Sequence, residues 1–138
     1  MPLASRNPAR PLSPHLQVYK WGPHMLVSIL HRATGSGMAT VGSLLLVWWL
    51  AAIAAGDQAY ATFVDVFTTE AGGLNILGYV IGIGLTWSLF QHMMTGIRHF
   101  VLDIGAGYEL KRNRMGARAT IVASVVLTVA FWLYLGIK

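Results

Sequence analysis

The residues with the clearest chemical potential are Gln91-His92-Met93-Met94-Thr95-Gly96-Ile97-Arg98-His99, set in an otherwise apolar stretch. A histidine inside a membrane span is costly to keep without a partner. One chemistry that uses an imidazole there is axial ligation of haem iron. His92, Gly96, His99 and Asp103 fall at i, i+4, i+7 and i+11, which is one face of a helix. That face carries a candidate ligand, a glycine that admits a bulky group, and polar residues toward one end. A second polar group precedes it: Ser28, His31 and Arg32. Ser28 lies one turn before Arg32 on the same face, so the two are placed to share a polar ligand. Blander roles are open for each. His92 could hydrogen-bond a neighbouring helix, His99 could be solvated at the interface, and Arg32 could snorkel as an orientation charge.

The elements that must position these residues are written in the composition. Of 138 residues, 55% are hydrophobic and 11% charged, against roughly 25% charged in a soluble domain. The apolar residues come in long runs, which argues for a small integral membrane protein. The absence of cysteine excludes disulfides, thiolate metal sites and any cysteine-ligated iron–sulfur cluster built from this chain. Three runs approach the ~20 residues a bilayer crossing needs: about 27–55, 74–102 and 119–137. The expectation is an all-α integral membrane fold of three transmembrane helices, one part of a heteromeric bundle. Residues 1–26 read as an N-terminal arm at the cytoplasmic surface, and 27–138 as the transmembrane domain. Pro8, Pro11, Pro14 and Pro23 break up any long helix in the arm. No apolar run directly follows Met1, so the start does not read as a cleaved secretory signal.

The formal net charge of +5 sits beside apolar spans, which points to membrane orientation and not to nucleic acid. The first connection holds Asp57, Asp65 and Glu70 without a cation. The second holds Lys111, Arg112, Arg114 and Arg118, and the arm holds Arg6, Arg10 and Lys20. The positive-inside rule then puts the N-terminus and the second connection on the cytoplasmic side. In this topology Ser28, His31 and Arg32 meet His92, Arg98, His99 and Asp103 near that face. At 1.5 Å per residue His92 lies roughly 9 Å deeper than Arg98. An imidazole at depth with cations above it is the layout a haem b and its propionates require. Gly35, Gly37 and Gly42 predict close helix packing near the start of the first span. Trp48-Trp49 lies toward the far side and reads as interfacial packing.

Arg10-Pro11-Leu12-Ser13-Pro14-His15-Leu16 with Tyr19, then Ser28-Ile29-Leu30-His31-Arg32-Ala33-Thr34-Gly35, then His92 to Asp103, resemble the cytochrome b556 family of succinate dehydrogenase membrane anchors, in its mitochondrial and alphaproteobacterial branch. The resemblance runs over nearly the whole chain with the motifs in the same order. It implies an anchor of succinate:ubiquinone oxidoreductase (respiratory complex II), serving the respiratory chain and the tricarboxylic acid cycle. His92 takes the position of the axial haem b ligand, with the second axial histidine supplied by the other anchor. Ser28 and Arg32 match positions lining the ubiquinone site, and His31 and Arg32 lie where haem propionates are approached. His99 and Asp103 are placed near propionates or the iron–sulfur subunit. FAD and iron–sulfur clusters belong to partner subunits, so this chain alone does not oxidise succinate and holds no catalytic residue. The implied partners are a flavoprotein, an iron–sulfur protein, a second haem-ligating anchor, quinone and the bilayer. The implied location is the bacterial inner membrane, or the mitochondrial inner membrane in a eukaryote. Gln91 departs from the pattern, where an aromatic often precedes the ligand, and leaves the local packing open. Two alternatives stand beside this reading: a fumarate reductase anchor using menaquinol, and a haem-free structural anchor or small transport subunit.

Overall fold

A computed structural model describes Ala9, Pro11 and residues 19–137. Most of the arm read over 1–26, including Arg6, Arg10, Ser13 and His15, lies outside the described residues, as does Lys138. The chain is built from helices: α1 (Pro23–Gly37), a π-helical turn (Met38–Gly42), α2 (Ser43–Ala55), α3 (Asp57–Phe67), α4 (Ile76–Asp103) and α5 (Leu110–Ile137). Three stretches are long and apolar enough to cross a membrane: Pro23–Ala55, Ile76–Asp103 and Leu110–Ile137. They are the three transmembrane helices of the fold.

Two helices differ from the boundaries expected from sequence, for local reasons. Helix α1 starts at Pro23, four residues before the expected position 27, because proline at the first helical position already has a helical φ and has no N–H to satisfy there. Helix α5 begins at Leu110 and not near 119. Lys111 to Arg118 therefore form its first two turns, since lysine, arginine, methionine and alanine are good helix formers and need not enter the hydrocarbon. A helix of 28 residues runs about 42 Å, beyond the ~30 Å hydrocarbon core, so its charged end extends past the bilayer. The connection shrinks to a short turn in which Gly105 and Gly107 take φ values of 82° and 78°, a region glycine enters without a Cβ penalty.

The interior explains why these helices associate. Among the described residues, those fully or nearly buried are Val27, Ala52, Gly78 and Ala117 with Thr34, Gln91, Thr95, Thr120, Ser124 and Thr128. The large apolar side chains point outward, with Leu44, Val47 and Val80 exposed. Lipid tails are as apolar as leucine, so small residues and hydrogen-bonding groups hold membrane helices together, and large aliphatics face lipid. Helix α4 is central, packing on α5 along one side and on α1 along the other, and α1 also touches α5.

The first connection is ordered by Asn75. Its Oδ1 accepts from Gly78 N at 2.9 Å, capping α4, and its Nδ2 donates to Val66 O at 2.8 Å and Thr68 O at 3.3 Å. Helix α3 folds back on the bundle, where Phe63 and Phe67 meet Trp48 at ring-centroid distances of 4.9 and 5.9 Å. Of the aromatic pair read at the far end of the first span, Trp48 thus serves packing, while Trp49 stays exposed.

Candidate cofactor site

Helices α1 and α4 cross where His31 and His92 face each other. Their rings stack with centroids 3.8 Å apart and planes within 9°. His99, two turns along α4, stands edge-on to His31 at 5.2 Å. The structure therefore joins His31, His92 and His99 into one cluster on one side of α4.

Three features of α1 hold the His92 imidazole. Its Nδ1 lies 3.1 Å from the backbone carbonyl of His31 and 3.5 Å from Thr34 Oγ1. Thr34 is itself fixed, donating to Leu30 O at 2.7 Å. A carbonyl only accepts, so Nδ1 carries the proton and donates it there. Gly35 supplies the space: a Cβ at that position would fall 2.8 Å from His92 Cε1 and 3.2 Å from Nδ1. The three glycines read as packing positions thus divide. Gly35 seats the imidazole, Gly42 comes near Leu85, and Gly37 meets nothing within 4 Å.

The consequence is chemical. With Nδ1–H donated to a carbonyl, Nε2 keeps its lone pair, which is the tautomer a metal needs, held by the outer hydrogen bond that orients metal-binding histidines. Nε2 makes no hydrogen bond among the described residues. One turn toward the C-terminal end of α4, a Cβ on Gly96 would meet nothing within 4 Å, so a flat group could lie along this face. His31 Nδ1 is buried with no hydrogen-bond partner among the described residues, so the stacking on His92 and not a bond at that atom is what places the ring. Among the described residues no three histidines or carboxylates are grouped to hold an ion by themselves. The chemistry of these residues fits one axial position of a haem.

The remaining candidates sort by face. Ser28 is half-buried and Arg32 exposed on α1, and neither side chain is engaged within the described chain. Asp103 is exposed at the last residue of α4 and forms no ion pair among the described residues. Arg98, read from sequence as a cation above His92, is turned away. Its Nη2 donates to Asn113 Oδ1 at 2.7 Å on α5, because position 98 falls on the α5-facing stripe with Gln91 and Thr95. Arg32, by contrast, has no such partner among the described residues.

The sequence reading missed that second stripe. Gln91 and Thr95 are fully buried and face α5, where Ser124 Oγ lies 2.7 Å from Gln91 Oε1. The i, i+4, i+7 spacing of Gln91, Thr95 and Arg98 was the available signal. The packing left open at Gln91 is resolved: it is a polar contact between helices.

A family model described as "Succinate dehydrogenase/Fumarate reductase transmembrane subunit" matches residues 6–131. The chain is 38% identical over 120 residues to the succinate dehydrogenase cytochrome b556 subunit of Paracoccus denitrificans, covering 87% of each. It is 32% identical over 123 residues to the protein of that name from Rickettsia felis, covering 89% of this chain and 90% of that one. It is 34% identical over 118 residues to the mitochondrial succinate dehydrogenase cytochrome b560 subunit of Mus musculus, covering 85% of this chain and 66% of the relative.

Proposed function

Because the chain belongs to the succinate dehydrogenase/fumarate reductase transmembrane subunit family, we propose that it holds one face of a haem b and one wall of a ubiquinone-reduction site in succinate:ubiquinone oxidoreductase. The observation that carries the haem reading is His92, whose Nδ1 is committed to the His31 carbonyl at 3.1 Å, leaving Nε2 for iron. His31 and Arg32 would meet the propionates, with His99 and Asp103 nearer the surface. When bound, haem b supplies a one-electron store.

The quinone wall is the stripe of Ser28 and Arg32. The Ser28 hydroxyl can donate a hydrogen bond to a quinone carbonyl. The Arg32 guanidinium can stabilise the negative charge that develops there as electrons arrive, an effect strengthened by low-dielectric surroundings. Both residues lie in the first three turns of α1, close to water, as a reaction that consumes two protons requires. Electrons come from a flavoprotein carrying FAD through an iron–sulfur subunit, and a second anchor supplies the other axial histidine. In this reading the chain sits in a bacterial inner membrane, or its mitochondrial counterpart, with the N-terminus and the Lys111–Arg118 end of α5 on the cytoplasmic side.

The family description covers fumarate reductases too. The relatives named above are succinate dehydrogenase subunits, which favours succinate oxidation. Extraction of the native quinone checks this: menaquinone in place of ubiquinone would reverse the assignment. For the haem, the purified complex should show a Soret band and a reducible α band, and His92→Ala should abolish or shift the low-spin signal. An unchanged bis-histidine spectrum in that variant would refute the ligand role, and a spectrum without haem in the unsubstituted complex would leave a structural anchor.

A further inference from the structure

Gln91 and His92 are adjacent but leave α4 in different directions, Gln91 toward α5 and His92 toward α1. Successive helical residues are about 100° apart, so whatever fixes one fixes the azimuth of the other. Gln91 is wholly buried, as are Thr95 and Ser124. The polar atoms form a closed set. Thr95 Oγ1 donates to the Gln91 carbonyl at 2.8 Å. Having one proton, it must then accept from Gln91 Nε2, at 2.9 Å. That fixes the amide orientation and turns Oε1 to α5, where the Ser124 hydroxyl stands at 2.7 Å. The Ser124 proton is also within reach of Ile121 O at 2.8 Å, but a buried amide oxygen left without a donor is the more costly outcome.

We propose that Gln91, through Ser124, is a positioning residue for the axial ligand: it locks the rotation of α4 so that the His92 imidazole meets the His31 carbonyl and presents Nε2 at a fixed angle. This rests on the haem reading of His92. The lock acts on the α5 side of α4, about 100° around the helix from His92. The Gly35 seat and the carbonyl of His31 restrain the ring from α1, and the Gln91–Ser124 bond restrains the helix that carries it. With the bond absent, the side-chain tie left between α4 and α5 among the described residues is Arg98–Asn113, two turns away, and no polar contact joins the two helices at the level of His92. The helix can then roll, and the ligand plane, which tunes a haem's electronic signature and potential, moves with it.

The test uses the intact complex carrying Gln91→Met, Ser124→Ala, both together, or Thr128→Val. Thr128 lies one turn along α5 from Ser124 and its hydroxyl donates to its own helix at Ser124 O, 2.8 Å, so it is the control for general loosening of the bundle. The readouts are the haem midpoint potential and the low-spin electron paramagnetic resonance signal. The expected result is that Gln91→Met and Ser124→Ala shift both readouts in the same direction, that the double variant shifts them no further than the larger single change, and that Thr128→Val leaves them in place. Unchanged readouts in Ser124→Ala, additive shifts in the double variant, or an equal shift from Thr128→Val would each overturn the lock. Ser124→Ala decides alone if Gln91→Met fails to assemble. Absence of haem from the unsubstituted complex would instead overturn the haem reading itself, so the two failures are separable.

Discussion

At the residue scale, the site depends on the absence of one methyl group. An alanine at 35 would place its Cβ 2.8 Å from His92 Cε1, well inside van der Waals contact, and the ring or the whole of α1 would have to shift. Gly35→Ala should lower haem occupancy or broaden the low-spin signal of the purified complex. Gly37→Ala, with nothing within 4 Å of the new carbon, should do neither; equal effects at both positions would show that the seat is unimportant. The proposed quinone wall of Ser28 and Arg32 gives a second expectation. Ser28→Ala and Arg32→Gln should each reduce succinate:quinone activity by tenfold or more, because loss of a donor aimed at developing charge costs on the order of 10²–10³ in rate in well-organised sites. Succinate-driven reduction of an artificial dye should persist in both. Parallel loss of the two activities would indicate failed assembly.

At the element scale, the helices are ordered by few polar contacts, each at a defined level. Asn75 joins the start of α4 to the end of α3 through its cap and two carbonyl bonds. Removing an Asn cap costs about 1 kcal/mol, so Asn75→Ala should lower the apparent melting temperature of the complex by a few degrees. It should leave the haem spectrum unchanged, since this staple lies at the opposite end of α4 from His99. The Gln91–Ser124 bond sits at mid-helix. Hydrogen bonds between membrane helices average about 0.6 kcal/mol, so its main effect is expected in ligand geometry, with only a minor change in thermal stability. An Ala at Ser124 that strongly destabilises the complex would contradict that ranking.

At the scale of the whole molecule, the bundle exposes a polar face that lipid does not suit. Ser28 is half-buried and Arg32 exposed on α1, and among the described residues neither side chain has a partner. A chain with such a face should be unstable alone and be protected by a second anchor. Expression of the chain with and without the other subunits, followed by protease digestion of membranes, measures this. The native sequence contains no cysteine, so single cysteines report topology without background. A cysteine in place of Arg114 should label from the cytoplasmic side, and one in place of Asp57 from the other. The reverse pattern would invert the orientation and overturn the proposed placement of Ser28 and Arg32 near the cytoplasmic face.

The sequence by itself determined the number of spans, their apolar character and the residues worth watching. Long apolar runs with few charges have one stable solvent, and His92 within one of them needs a reason to be there. The helical repeat also fixed which residues share a face: Ser28 with Arg32, and His92 with Gly96 and His99. It did not say which helix each face meets. In lipid the large aliphatic residues do not choose between neighbours, so pairing is settled by small and hydrogen-bonding side chains far apart in sequence. Only the tertiary structure decided that His31 stacks on His92, that Gly35 makes room for the imidazole, that Arg98 turns to Asn113 and that Gln91 is held by Ser124. Each of these is a contact between helices, set by how two cylinders rotate against each other, and no periodicity within one helix contains that angle.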